Sequence, residues 1–176
     1  KALALALGLP IEVVIASIRE PSDFGGLPAI MPDGVSFIPP AWAKRLSVAK
    51  RGIAFFDEIS TAPPAVQAGL LRVVLDRVVG DLSLPEEVAM VGAANPVEMA
   101  AGGWELAAPL ANRFWHGTWT LDAAAWVTGL LSGFPAPEVP RLKDEWDVVL
   151  PSTAALIGGF VRHRPSLMLQ MPDSGS

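Results

Sequence analysis

The stretch Arg51 to Ser60, RGIAFFDEIS, decides how this chain is read. Ile53-Ala54-Phe55-Phe56 is a short, continuous apolar run, the pattern of a strand buried on both faces of a parallel sheet. It stops at two adjacent acids, Asp57 and Glu58. A carboxylate pair at that position is either a solvated strand end or a device that works on a metal and a water.

The flanking sequence supplies the setting. Ala2 to Leu7 reads as the end of an apolar helix, with Gly8 as its C′ residue and Pro10 just beyond. Ile11 to Ile18, short and rich in β-branched residues, predicts a strand. Arg19 to Pro40 predicts a loop with a small hairpin around Asp33-Gly34, and Ala41 to Ala49 a short helix. After the acid pair, Pro63-Pro64 fits a helix start. From Ala65 to Val79, apolar residues recur at Val66, Leu70, Leu71, Val74, Leu75 and Val78, which is helical spacing. Val88 to Ala94 predicts a second buried strand ending at Asn95-Pro96. Leu106 to Phe114 predicts a short helix, and Trp115 to Leu121 a strand. Alternating strands and helices define an α/β fold with a parallel sheet. Beyond Leu121 the pattern changes. Asp122 suits a helix cap, Ser132 to Leu142 is a Pro-rich linker, and Pro151 to Arg164 predicts a further helix. The expected organisation is an α/β core over 1–121 and part of a small helical subdomain over 122–176.

Composition narrows the function classes. The chain has 176 residues, a net charge of −5, and no Cys. Mean hydropathy is +0.41 and the pI ≈ 5.0. Lys and Arg are nowhere concentrated, so no nucleic-acid or anionic-membrane partner is expected. Disulfides and thiolate metal sites are excluded, and a cytoplasmic location is expected. KALALALGLP superficially resembles the start of a signal peptide, but Gly8 and Pro10 break it. No apolar run approaches the ~20 residues of a membrane span. His116 and His163 are too few and too far apart for a metal motif. Trp115, Trp119 and Trp126 are expected as packing anchors, since no basic groove accompanies them.

In open parallel sheets, ligands sit at the carboxyl ends of strands. One strand ends at Asp57-Glu58, another at Asn95, and Arg113 closes the helix before the next. Two acids, an amide and a guanidinium on one edge suit phosphate chemistry. Asp57 could hold Mg²⁺ directly or through its waters. Glu58 could orient or deprotonate an attacking water. Asn95 could position that water or touch a γ-phosphate. Arg113 offers a fixed fork of donors for phosphate charge. Asp23 reads as a turn cap.

These residues resemble a known family. Gly52-Ile-Ala-Phe-Phe-Asp-Glu-Ile-Ser-Thr-Ala-Pro-Pro-Ala-Val-Gln-Ala-Gly-Leu-Leu71 is similar to the Walker B strand and following helix of AAA+ ATPases, closest to the MoxR branch. Val91-Gly-Ala-Ala-Asn-Pro96 resembles the strand carrying sensor 1, and Pro109-Leu-Ala-Asn-Arg-Phe114 the segment carrying the arginine finger. Ser22-Asp-Phe-Gly-Gly26 resembles that branch's Ser-Asp-x-x-Gly loop. The four occur in the family's order across roughly the first two-thirds of the chain. The resemblance implies a P-loop NTPase core with a helical lid, ATP and Mg²⁺ as cofactors, and a hexameric ring whose motion remodels a client protein. A von Willebrand factor A domain protein is the implied companion. The family's phosphate-binding loop should precede the first helix, yet no Gly-Lys pair occurs here. The stretch is therefore expected to be truncated, starting after that loop and ending within the lid, and to bind ATP weakly by itself. Ser60-Thr61 stands where the family usually has Asn-Arg, with consequences for contacts across a subunit boundary. Two other readings accompany this one: a non-catalytic AAA+-like scaffold, and a related ring motor such as a magnesium-chelatase-type subunit.

Overall fold

The computed structural model describes residues 1–96, 104–135 and 150–164. The chain forms two compact units, Lys1–Glu138 and Val139–Ser176. At the centre of the first lies a parallel sheet of β1 (Ile11–Ile15), β4 (Gly52–Asp57) and β7 (Val88–Gly92), in the order β1-β4-β7. This is the expected α/β architecture. The central strand is β4, with Val14 beside Phe56 on one side and Phe56 beside Gly92 on the other.

Helices and turns cover one face. They are α2 (Ser22–Gly25), α3 (Ala41–Ala49), α4 (Pro64–Asp76) and α5 (Ala108–Ala111), whose buried residues join those of the sheet in a single core. Three aromatic rings form its centre. Phe56 lies 6.2 Å from Phe24 and 5.9 Å from Trp42, both edge-on, and Phe24 lies 6.4 Å from Trp42. Edge-to-face contacts of this kind add to the burial of the rings themselves. Outside the core, Arg45 of α3 makes a two-pronged ion pair with Glu12 of β1, with Nε–Oε1 at 2.6 Å and Nη2–Oε2 at 2.7 Å. The carboxylate raises the pKa of the exposed guanidinium.

The opposite face is more open than the apolar sequence of the strands implies. Ile53 is buried, but Val13, Ile15 and Val91 are 38%, 38% and 41% exposed. Among the described residues, the face opposite the aromatic core is buried at Ile53 and part-buried at Phe55 of β4 but open along the flanking strands.

The local elements follow sequence chemistry closely. In α1 (Ala2–Leu7), Gly8 takes φ +62° and closes the helix end onto Leu5 O, as expected of a C′ glycine. The hairpin around Asp33 is real: β2 (Leu27–Met31) pairs antiparallel with β3 (Gly34–Ile38). Asp122 accepts from Ala124 N at 2.9 Å and Ala125 N at 3.2 Å, capping α6 (Ala123–Ser132). In the second unit, α7 (Leu150–His163) occupies nearly the expected span. Most of the Pro-rich linker lies outside the described residues.

Three expectations are corrected. The strand over Ile11–Ile18 stops at Ile15, and Ala16–Ile18 forms a 3-10 turn. The helix expected to reach Val79 ends at Asp76. There Arg77 turns left-handed (φ +57°) and its Nη2 donates to Pro85 O (2.6 Å), Glu86 O (3.1 Å) and Val88 O (2.6 Å). That lets β5 (Val78–Val79) pair with β6 (Leu82–Ser83) across Gly80. A Cβ at Gly80 would lie 2.4 Å from Phe37 O, so the turn against the hairpin requires glycine. Finally, Trp115–Leu121 is not a strand, and its tryptophans are not anchors. Trp115 and Trp119 are 93% and 94% exposed, and Trp126 is 48% exposed. A cavity of ≈ 720 Å³ has β7 on one wall and residues 113–119 on another. Among the described residues, that segment therefore lacks the neighbour at ~4.8 Å that a strand needs.

Phe56→Ala is expected to cost about 3–5 kcal/mol, because it opens a cavity among three packed rings. Trp119→Ala is expected to shift stability by less than about 0.5 kcal/mol. Chemical denaturation of both variants checks the contrast, and equal losses would contradict the core described above.

Candidate functional site

Because β1, β4 and β7 are parallel, their carboxyl ends share one edge of the sheet. Ile15 pairs with Asp57, and Phe56 with Gly92. Side chains alternate along a strand. With Phe56 facing the aromatic core, Phe55 and Asp57 face the other way. Asp57 is half-buried and Glu58 exposed. Asp57 Oδ1 accepts from Glu58 N at 3.0 Å, and its Oδ2 makes no hydrogen bond among the described residues.

Glu58 leaves the strand in the left-handed region, with φ +54° and ψ +39°. For a residue with a Cβ this costs about 1–2 kcal/mol. Strain of this kind persists where surrounding contacts over-determine it, and they do so here. Thr61 N and Oγ1 both donate to Glu58 O, at 3.1 and 2.9 Å, closing the 3-10 turn Ile59–Thr61. Ser17 Oγ, two residues beyond β1, donates to Glu58 Oε2. The bend turns the glutamate side chain back toward the end of the neighbouring strand.

Asn95 lies three residues beyond β7 and is exposed. Its position is tied to the acid pair through the backbone. Ala93 N donates to Phe56 O (2.8 Å), Ile59 N to Ala93 O (3.0 Å), and Ser60 Oγ to Asn95 O (3.2 Å). Ser60, 3% exposed, is thus directed into the chain, where it holds the Asn95 backbone.

Arg113 follows α5, which is anchored by the buried Leu110; Arg113 N donates to Leu110 O at 3.1 Å. Its guanidinium is exposed and unpaired among the described residues. It lines the ≈ 720 Å³ cavity together with Ile59 and Ala94, the chain neighbours of Glu58 and Asn95. The fold therefore gathers Asp57, Glu58 and Asn95 at one edge and sets Arg113 on the wall of the adjoining cavity. It makes no contact between Arg113 and either carboxylate.

The remaining candidates take structural roles. Asp23 Oδ2 accepts from Glu20 N at 3.1 Å, capping its turn as expected. His116 Nε2 lies 2.8 Å from Ala111 O, closing the end of α5. Among the described residues, no three His, Cys, Asp or Glu side chains gather as a metal cage. The oxygen donors at the edge fit Mg²⁺, which takes one or two protein carboxylates and completes its shell with water and phosphate. Sequence reasoning missed Ser17 altogether and marked Ser60 only as a departure from the family pattern, without its bond to Asn95 O. A lone serine carries no signal until the strands are aligned.

No protein-family model and no curated protein matches the chain. Solved structures do. A provisionally described ATPase of Cytophaga hutchinsonii aligns over 77% of this chain and 42% of its own, at 22% identity and a TM-score of 0.49. NtrX of Brucella abortus aligns over 52% of this chain and 22% of its own, at 20% identity and a TM-score of 0.34. The chain thus spans less than half the length of each. Likenesses this distant do not extend the reading beyond the parallel α/β arrangement already described.

Glu58→Gly removes the strained Cβ and the bond from Ser17. Relief of about 1–2 kcal/mol roughly balances the ~0.5–1 kcal/mol entropic cost of glycine and the ~0.5–1.5 kcal/mol of the lost bond. Thermal unfolding is expected to show a Tm unchanged to within a few degrees. A clear fall in Tm would mean that Glu58 is there to stabilise the fold.

Proposed function

We propose that this chain is part of the nucleotide-hydrolysing core of an AAA+ ATPase of the MoxR type, whose full-length form acts on ATP with Mg²⁺ and without whose phosphate-binding loop this stretch is inactive by itself. The observation that carries the reading is the meeting of Asp57, Glu58 and Asn95 at the carboxyl edge of a parallel sheet, in the order of the motifs they resemble. Asp57, with one carboxylate oxygen that makes no hydrogen bond among the described residues, would hold Mg²⁺, and the ion would supply neutralisation of charge on the phosphates. Glu58 takes the proton of the attacking water or orients it. Asn95 positions that water against the terminal phosphate. Arg113, set apart on an exposed segment, reaches the phosphate of a neighbouring subunit.

The wider reading follows from the same resemblance. The protein assembles as a ring, a hexamer, in the cytoplasm and remodels a client protein alongside a von Willebrand factor A domain companion. Among the described residues no helix is long and apolar enough to cross a membrane.

In the intact protein, Glu58→Gln is expected to lower ATP turnover by about 10²-fold or more while ATP still binds. Arg113→Ala is expected to lower kcat by on the order of 10³-fold. Mixing the two inactive variants is expected to restore part of the activity, since a ring then contains sites with Glu58 from one subunit and Arg113 from the next. Full turnover by Glu58→Gln would remove Glu58 from the mechanism, and failure of the mixture to recover would remove Arg113 from the subunit boundary.

A further inference from the structure

Gln67 is a buried polar side chain, 2% exposed in the first turns of α4, that no step above uses. All of its amide is engaged. Nε2 donates to Ala62 O at 3.0 Å and to Glu105 O at 3.4 Å, while Oε1 accepts from Ala107 N at 2.8 Å. Two carbonyls and one N–H determine which end is the nitrogen.

Those partners belong to two different parts of the site. Ala62 ends the turn that begins at Glu58 and is closed by Thr61. Ala107 is the N-cap of α5, whose far end leads into Arg113. Arg113 lies six positions after Ala107, and α5 is a single turn anchored in the core through Leu110. One buried amide therefore ties the turn behind the acid pair to the segment that presents the guanidinium. An apolar residue here would leave the buried Ala62 carbonyl without its donor and remove the part-buried ties to Glu105 O and Ala107 N. A carboxylate would set an oxygen against the two carbonyls that Nε2 now serves.

We propose that Gln67 is a positioning residue that sets the placement of the Arg113 segment relative to Glu58, and so governs turnover rather than nucleotide affinity. This rests on the ATPase reading given above. Its direct consequence is local: without the amide, the start of α5 loses its hydrogen-bonded tie to α4 and keeps only the apolar packing of Leu106, Leu110 and Phe114.

The test uses Gln67→Met and the nearly isosteric Gln67→Glu in the intact protein. Both are expected to lower kcat by about tenfold or more with KM for ATP within about twofold. Combined with Arg113→Ala, Gln67→Met is expected to cost nothing further, because both changes act through the same group. Amide hydrogen exchange at Ala107 and through α5 is expected to quicken by about tenfold or more, with β4 unchanged. Normal kcat in both variants, or losses that multiply with Arg113→Ala, would overturn the proposal. Should Glu58→Gln and Arg113→Ala retain full turnover, the ATPase reading fails and the role in turnover falls with it. Exchange at Ala107 then decides the bracket alone, and an unchanged rate would refute it.

Discussion

Phe56 is fully buried between Phe24 and Trp42 on one face of the sheet, on a strand with hydrogen-bonded neighbours on both sides. Its placement constrains everything that follows it. With residue 56 committed to the core, the pleat directs residue 57 to the opposite face, and the chain has reached the sheet edge by residue 58. The left-handed turn at Glu58 then swings the backbone into the bonds made by Thr61, Ser60 and Ile59. The acid pair is thus an outcome of core packing: the burial of one aromatic ring places two charges where they cannot be buried.

The edge gains its polar order from neighbours as much as from its own residues. Ser17 comes from the strand on one side of β4, and Asn95 from the strand on the other. Parallel pairing is what allows this, since it brings the ends of three strands to one place. Arg113 belongs to a separate arrangement. It rides on a one-turn helix attached to the core by Leu110 and to α4 by the Gln67 amide. Carboxylates and guanidinium are therefore built by different contacts, and a buried polar group joins the two constructions.

Much of the fold was legible because its signals are local. Gly8 as a helix stop, Asp122 as a helix cap, the two-residue turn at Asp33 and the apolar spacing of α4 each depend on residues close in sequence. The errors share a cause. Arg77 stops α4 early because its side chain finds three carbonyls 8 to 11 residues further on. Trp115–Leu121 has a strand's composition but no adjacent strand among the described residues, and composition cannot supply one. Likewise, apolar strands suggested a sheet covered on both faces, whereas coverage depends on which elements pack there.

The sequence by itself determined the parallel α/β class and the strand that carries Asp57 and Glu58, and it supplied the proposal of Asn95 and Arg113 as their companions. These rest on side-chain periodicity and on motif order, which are properties of a linear string. Tertiary structure alone decided that Ser17 reaches Glu58, that Ser60 holds the backbone of Asn95, and that Gln67 ties Ala62 to Ala107. It also decided that Arg113 stands apart from the acids, beside a cavity. Most of these contacts span 35 to 41 residues. Hydrogen bonds act over about 3 Å, so they exist only once the chain has folded.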